Sequence, residues 1–214
     1  MPRTSPSGMK IICIGRNYRD HAAELGNDAP EEPIIFLKPT TACLYPGQPI
    51  KLKPFLGDIH HEVELVVMVD SYAKDVPERM ALGLVASFTL GLDLTARTLQ
   101  NELKAKGLPW EKAKAFDGSA VLGEVELPMT ASTDLQRLSI ELKKNGALVQ
   151  QGRTSDMLFT VAQQIAYVSR FITLEPGDLF FTGTPAGVGP IAEGDVLEGF
   201  LNGQRVLNVT VAKG

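Results

Sequence analysis

The stretch Glu62-Val63-Glu64-Leu65-Val66-Val67-Met68-Val69 is apolar everywhere except at its first and third positions. An unbroken aliphatic run of this length, rich in β-branched residues, reads as a buried strand. Side chains alternate across a strand, so Glu62 and Glu64 point to the same face. Two like charges on one face of a buried strand repel, and burying either without a partner costs several kcal/mol. A hard cation between them is the simplest compensation.

Outward from this strand, the chain reads as many short strands and few helices. Short apolar runs at 11–14, 34–37 and 85–92 read as strands, and Pro46-Gly47 marks a turn. Asn145-Gly146 joins 138–142 to 147–150, and Asn202-Gly203 joins 196–201 to 206–211. Asn-Gly is the favoured pair of a tight hairpin, so both read as antiparallel ribbons. Asn17 reads as the N-cap of a short helix, with Asp20 three residues on and Leu25-Gly26 closing it. Helices are also expected over 77–84 and 94–106, the latter ended by Gly107 and Pro109. A long amphipathic helix capped near Ser155 carries Met157, Leu158, Val161, Ile165, Val168 and Phe171 at helical spacing. This mixture predicts a β-rich α+β fold. A flexible polar tail is expected over 1–8, without the apolar core of a secretory signal, and one catalytic domain over 9–214.

A net charge of −4 and the lack of any Lys/Arg block argue against a nucleic-acid surface. No apolar run reaches the roughly 18 residues of a membrane span. Cys13 and Cys43 have no metal-type spacing and read as buried reduced thiols of a cytoplasmic protein.

Asp93 follows an apolar run and would give Glu62 and Glu64 a third oxygen ligand. An all-carboxylate set favours Mg²⁺ or Mn²⁺ over Zn²⁺. The other reading of the same residues is a solvated strand face with Asp93 as a helix cap. Arg97 and Gln100 stand four and seven residues after Asp93, a spacing that keeps all three near one helix face. A guanidinium there suits recognition of a substrate carboxylate. His21 and Glu24, three apart, can meet as a base and its orienting carboxylate, or decorate a surface. Of His60 and His61, only His60 shares the Glu62 face, as a packing or supporting group. Lys112 and Lys114 are both candidates to bind an oxyanion, and spacing does not choose between them. The loop Thr182-Gly183-Thr184-Pro185-Ala186-Gly187-Val188-Gly189 lacks the ending of a phosphate loop, but offers N–H groups and the Thr184 hydroxyl to a small anion.

Six segments taken together resemble the fumarylacetoacetate hydrolase family. They are Gly15-Arg16-Asn17-Tyr18 with His21-Ala22-Ala23-Glu24, Phe36-Leu37-Lys38-Pro39, and His61-Glu62-Val63-Glu64-Leu65, then Asp93-Leu94-Thr95-Ala96-Arg97 with Gln100, Lys114-Ala115-Phe116-Asp117, and Phe181 through Val188. They run in the family's order from Met9 onward. The short chain is most similar to the branch of acylpyruvate hydrolases and oxaloacetate decarboxylases. The resemblance implies a mixed β-sandwich roll with a few short helices, paired as a homodimer. It implies Mg²⁺ or Mn²⁺ on Glu62, Glu64 and Asp93, and His21, Glu24 and Lys114, rather than Lys112, as catalytic groups. It implies Arg16, Tyr18, Arg97, Gln100 and Thr184 as substrate-binding groups, and leaves the role of Lys38 open.

The implied activity is cleavage of a C–C bond in a small acylpyruvate-type 2-oxo acid, with oxaloacetate decarboxylation through the same cation-stabilised enolate. Isomerisation or tautomerisation of a related 2-oxo or 2-hydroxydienoic acid is the alternative. A non-catalytic metal-binding β-module is the rival from another class.

Overall fold

The computed structural model describes residues 9–24, 26 and 28–213. The tail expected over 1–8, and Leu25 of the helix-closing pair, lie outside the described residues. In chain order the strands are β1 (Ile11–Gly15), β2 (Ile34–Lys38), β3 (Cys43–Leu44), β4 (Ile50–Leu52), β5 (Ile59–His61), β6 (Val63–Val69), β7 (Val85–Asp93), β8 (Thr95–Ala96), β9 (Ala120–Leu122), β10 (Leu127–Pro128), β11 (Ser139–Lys144), β12 (Ala147–Arg153), β13 (Leu179–Phe181), β14 (Gly189–Pro190), β15 (Val196–Leu201) and β16 (Gln204–Lys213). The helices are α1 (Arg19–Glu24), α2 (Glu78–Ala81), α3 (Arg97–Ala105), α4 (Glu111–Lys114) and α5 (Val161–Ser169).

The central sheet runs β2-β1-β13-β6-β7-β9-β3, with β10 added beside β7. It is mixed: β1 and β13 are parallel, as are β3 and β9, while β6 is antiparallel to both of its neighbours. A second sheet runs β12-β11-β15-β16-β4, and a small third one β14-β5-β8. This is the β-rich α+β fold of mixed sheets and short helices that the pattern predicts.

Alternation along β6 explains how the site is placed. Val63, Leu65, Val67 and Val69 point into the larger core, where Leu90 and Leu92 of β7 meet Ile140, Leu142, Leu197, Leu201 and Leu207 of the second sheet. Val66 points the other way, into a smaller core with Ile11, Cys13 and Phe181. Glu64 shares that second direction. With both faces covered, the strand needs apolar residues throughout, and its two carboxylates stand out for that reason.

Both Asn-Gly hairpins form as expected. Asn145 and Asn202 have φ of 53° and 48°, and Gly146 and Gly203 have φ of 80° and 79°. Two positive φ values in succession define the turn that matches strand twist. The expected helix over 94–106 is shorter: Thr95-Ala96 pairs with β5 as β8, and α3 begins at Arg97. The long amphipathic helix also starts later than expected. Its cap is Thr160, whose side chain accepts from the Gln163 N–H while Gln163 accepts from the Thr160 N–H. This reciprocal pair satisfies two otherwise orphaned donors. A short 3₁₀ turn at Thr154–Asp156 and an extended Met157 precede it. Phe171, expected on the apolar face, is 61% exposed beyond the helix end.

Asn17 is not a simple cap. It is fully buried, with Nδ2 donating to Phe159 O (3.0 Å) and Thr182 O (2.8 Å), while Oδ1 accepts from Phe159 N (2.8 Å). It ties the segment before α1 to the chain entering α5 and to the Thr182 loop.

Candidate metal centre and active site

Glu62 sits at the junction of β5 and β6, Glu64 within β6, and Asp93 at the end of β7. The register brings them together, since Asp93 N donates to Glu62 O at 2.9 Å and Glu64 lies opposite Gly91. A carboxylate oxygen from each lies within 4.8 Å of the others, and the three residues are 4, 2 and 1% exposed. Three buried carboxylates this close are strongly destabilising unless cations offset them.

The chain supplies part of that offset. Lys114 Nζ lies 2.7 Å from Glu62 Oε2 and 2.6 Å from Asp93 Oδ2. Lys38 Nζ lies 2.7 Å from Asp93 Oδ1, and Arg97 pairs with Glu62 Oε1. Burial alone would push the Glu62 carboxyl up, but Lys114 and Arg97 outweigh it and hold it below the usual carboxylate range. Burial would likewise lower the Lys114 ammonium, and Asp93 and Glu62 reverse that. Glu64 makes no ion pair among the described residues. It accepts the Gly183 N–H at 2.8 Å, and burial with the Asp93 and Glu62 charges outweighs that bond and the nearby Lys114 charge and raises its carboxyl well above the usual range. A buried all-oxygen set with one member left uncompensated fits a hard divalent cation such as Mg²⁺ or Mn²⁺.

These carboxylates form part of the wall of a small pocket together with Arg16, His21, Phe36, Arg97, Gln100, Lys104, Trp110, Lys114 and Thr184. Of the site residues expected from sequence, all but Tyr18 and Glu24 line it. Glu24 stands behind His21, with Oε2 3.1 Å from His21 Nδ1, and its Oε1 accepts the Gly187 N–H at 3.1 Å. The Gly-rich loop therefore braces the carboxylate that orients the imidazole. Tyr18 is 3% exposed, and its hydroxyl has no hydrogen-bond partner among the described residues. Arg97 is committed within the protein, donating to Gln100 Oε1 at 2.7 Å as well as to Glu62.

Lys38 is a tether. Its ammonium donates to the Lys114 carbonyl, and to Ser119 O and Oγ at 3.0 Å each. It fixes the chain after α4, and so Lys114, against Asp93. Lys112 is exposed, whereas Lys114 is buried. His60 is half-buried and His61 buried. His61 Nδ1 meets Gln150 Oε1 at 2.8 Å, and Gln150 Nε2 donates to Thr184 Oγ1 and Pro185 O, each at 2.9 Å. Gln150 thus positions Thr184 from across the sheets. Sequence reading passed over it because it lies on a hairpin strand among alternating residues and no local pattern marks its partner. Lys104 was also passed over, although it stands four residues after Gln100 on the α3 face that carries Arg97.

Residues 10–212 match the family model described as fumarylacetoacetate (FAA) hydrolase, C-terminal. The mitochondrial oxaloacetate tautomerase FAHD1 of Mus musculus is 45% identical over 196 residues, which is 92% of this chain and 88% of that protein. The structure of a fumarylpyruvate hydrolase from Pseudomonas aeruginosa, in complex with Mn²⁺ and pyruvate, is 36% identical with a TM-score of 0.90, covering 100% of this chain and 93% of that one. A 5-carboxymethyl-2-hydroxymuconate delta-isomerase from Mycobacterium smegmatis is also 36% identical, with a TM-score of 0.82 over 96% of this chain and 79% of that one. The chain belongs to the fumarylacetoacetate hydrolase family. Among the described residues no helix is long and apolar enough to cross a membrane.

Proposed function

We propose that this family member catalyses keto–enol tautomerisation of a small 2-oxo acid, with oxaloacetate as the substrate to test first. The observation that carries this reading is the His21–Glu24 pair at 3.1 Å, with His21 in the wall of a cavity that also exposes three buried carboxylates. Tautomerisation needs one group that takes a proton from carbon and returns it to oxygen. Glu24 at Nδ1 selects the tautomer that leaves Nε2 of His21 free to accept. As His21 takes the proton from C3, the C–H electron pair forms the C2–C3 double bond and negative charge moves to the 2-oxo oxygen. Return of the proton to that oxygen completes the enol, with no net gain or loss of atoms. Lys114 and Gln100 offer donors to the developing oxyanion, and Thr184, held by Gln150, offers its hydroxyl to the carboxylate end. A divalent cation on Glu62, Glu64 and Asp93 would supply Lewis-acid polarisation of the 2-oxo and carboxylate oxygens. The 45% identity to an oxaloacetate tautomerase over most of both chains supports the choice of substrate.

A second reading is C–C hydrolysis of an acylpyruvate, in which His21 takes its proton from water and the bond to the acyl carbon breaks to leave a pyruvate enolate. The likeness to a fumarylpyruvate hydrolase supports it. Oxaloacetate decarboxylation reaches the same enolate by loss of CO₂. The homodimer and the single catalytic unit over 9–214 remain part of the proposal, so removing residues 1–8 should leave turnover intact.

The test is the rate of enol-to-keto conversion of oxaloacetate with Mg²⁺, followed by ultraviolet absorbance, beside turnover of acetylpyruvate and fumarylpyruvate. Faster loss of the enol supports the tautomerase. Cleavage of the acylpyruvates without enol conversion favours the hydrolase, and no effect on any substrate overturns both.

A further inference from the structure

Two cations in the cavity wall are not consumed by the buried carboxylates. Lys104 and Arg16 are both half-buried, and neither has an ion pair among the described residues. The other cations of the site are committed: Lys114 to Glu62 and Asp93, Lys38 to Asp93, and Arg97 to Glu62. Arg16 is also held at a backbone φ of 56°, a conformation that non-glycine residues rarely adopt. It follows β1 directly and leads into the Asn17 clamp, so its backbone is determined from both sides. Lys104 lies with Nζ 5.6 Å from the centre of the Trp110 ring. Trp110 in turn meets Phe36 edge-on, with ring centroids 6.2 Å apart. Burial and the nearby Arg16 and Arg97 charges lower the Lys104 ammonium from its usual range.

Leaving two like charges half-buried and unpaired in one small cavity is unfavourable in the empty protein. An anion entering between them recovers that cost. Resting on the 2-oxo acid reading above, we infer that Lys104 joins Arg16, which the family resemblance already implies in substrate binding, to form a second anion subsite that receives the distal carboxylate of a dicarboxylic 2-oxo acid. The α3 helix then presents successive donors along one face. Gln100 serves the end of the substrate beside Glu62 and Asp93, and Lys104, one turn on, serves the far end. The enzyme would select a four-carbon diacid over its monocarboxylic counterpart by electrostatic pairing and not by apolar contact.

Malate and lactate are 2-hydroxy acids that cannot enolise and differ by the distal carboxylate. Calorimetry of each on the Mg²⁺-loaded protein reads the subsite without turnover. Malate should bind at least about tenfold more tightly than lactate, as one charge-assisted hydrogen-bonded contact supplies. Lys104→Gln should reduce the malate-to-lactate ratio about tenfold, Lys104→Arg should restore most of it, and added salt should erode it. Equal affinities in the wild type, no binding of either acid, or a ratio unmoved by Lys104→Gln would overturn the subsite. Because no step is catalysed, failure here leaves oxaloacetate turnover to be judged separately. Failure of turnover with the malate preference intact would remove the tautomerase and keep the subsite.

Discussion

Lys114 holds its ammonium 2.6 Å from the Asp93 carboxylate, at a point where both side chains are almost fully buried. The same nitrogen reaches Glu62, so one lysine links two of the three carboxylates. Truncating it leaves Asp93 with Lys38 alone and Glu62 with Arg97 alone, beside an uncompensated Glu64. Lys114→Met should destabilise the protein by about 3–5 kcal/mol in EDTA, the cost of breaking a buried pair. Divalent cation should recover part of that loss, because it binds the folded state selectively. Thermal melts of both proteins with and without Mg²⁺ check this: the Mg²⁺-induced rise in Tm should be larger for the variant.

Gly183 connects the loop to the carboxylate floor. Its N–H is the hydrogen-bond donor to Glu64, its φ is 102°, and an added Cβ would lie 2.5 Å from Asn17 Cβ. Gly183→Ala should therefore cost about 1–3 kcal/mol and also disturb Glu64. The measurable outcome is a combined fall in urea midpoint and in divalent-cation affinity.

Asn17→Ala should cost about 1–3 kcal/mol, since it leaves the Phe159 N–H without its partner and removes one of two donors to each of the Phe159 and Thr182 carbonyls, which Gln164 still reaches. The residue also anchors the segment that carries His21, so kcat should fall as well as stability. Hydrogen exchange at the Phe159 amide should accelerate.

The two thiols predict a pH effect. Burial pushes Cys43 up from 9.0 to about 11, and burial, reinforced by Asp93, pushes Cys13 well above its usual range. The unfolded thiols ionise near pH 9 while the folded ones stay neutral, so their stabilising contribution is intact below pH 9 and lost as pH rises through the folded values. For Cys43 the loss across that window is roughly 2 kcal/mol. Urea titrations at pH 7.5 and 10.5 should show a smaller pH-dependent drop for Cys43→Ala than for wild type. Thiol reagents at pH 7.5 should label the native protein slowly and the unfolded protein fast.

The Glu62–Val69 strand and both hairpins were legible because each is written locally: an aliphatic run, and Asn-Gly pairs whose turn chemistry fixes the register. The carboxylate cluster was legible as a set of residue types, but not how its charge is offset. The pairing of Lys38 and Lys114 with Asp93 spans the β2 edge, α4 and β7, and such long-range partners leave no periodic trace. Arg97 was expected to face a substrate carboxylate, and in the fold its guanidinium is tied to Glu62 and Gln100. Asn17 looked like a cap because capping and cross-linking use the same amide chemistry, and only the tertiary position of Phe159 distinguishes them. The start of α5 was displaced because Ser155 and Thr160 are both capping residues. The reciprocal Thr160–Gln163 pair decides in favour of the second.

In the proposed reaction His21 moves a proton on the carbon next to the carbonyl of a 2-oxo acid held beside the Glu62–Glu64–Asp93 floor. Proton NMR of pyruvate in D₂O tests it directly, because enolisation replaces the methyl protons with deuterium without any other reaction. Methyl-proton exchange with the protein and Mg²⁺ should run well above that of Mg²⁺ alone. That exchange should be lost with Glu64→Gln and fall about 10²–10⁴-fold with His21→Ala, as expected for removal of a general base. Exchange no faster than in Mg²⁺ buffer, or exchange that survives His21→Ala unchanged, would contradict the proposed reaction.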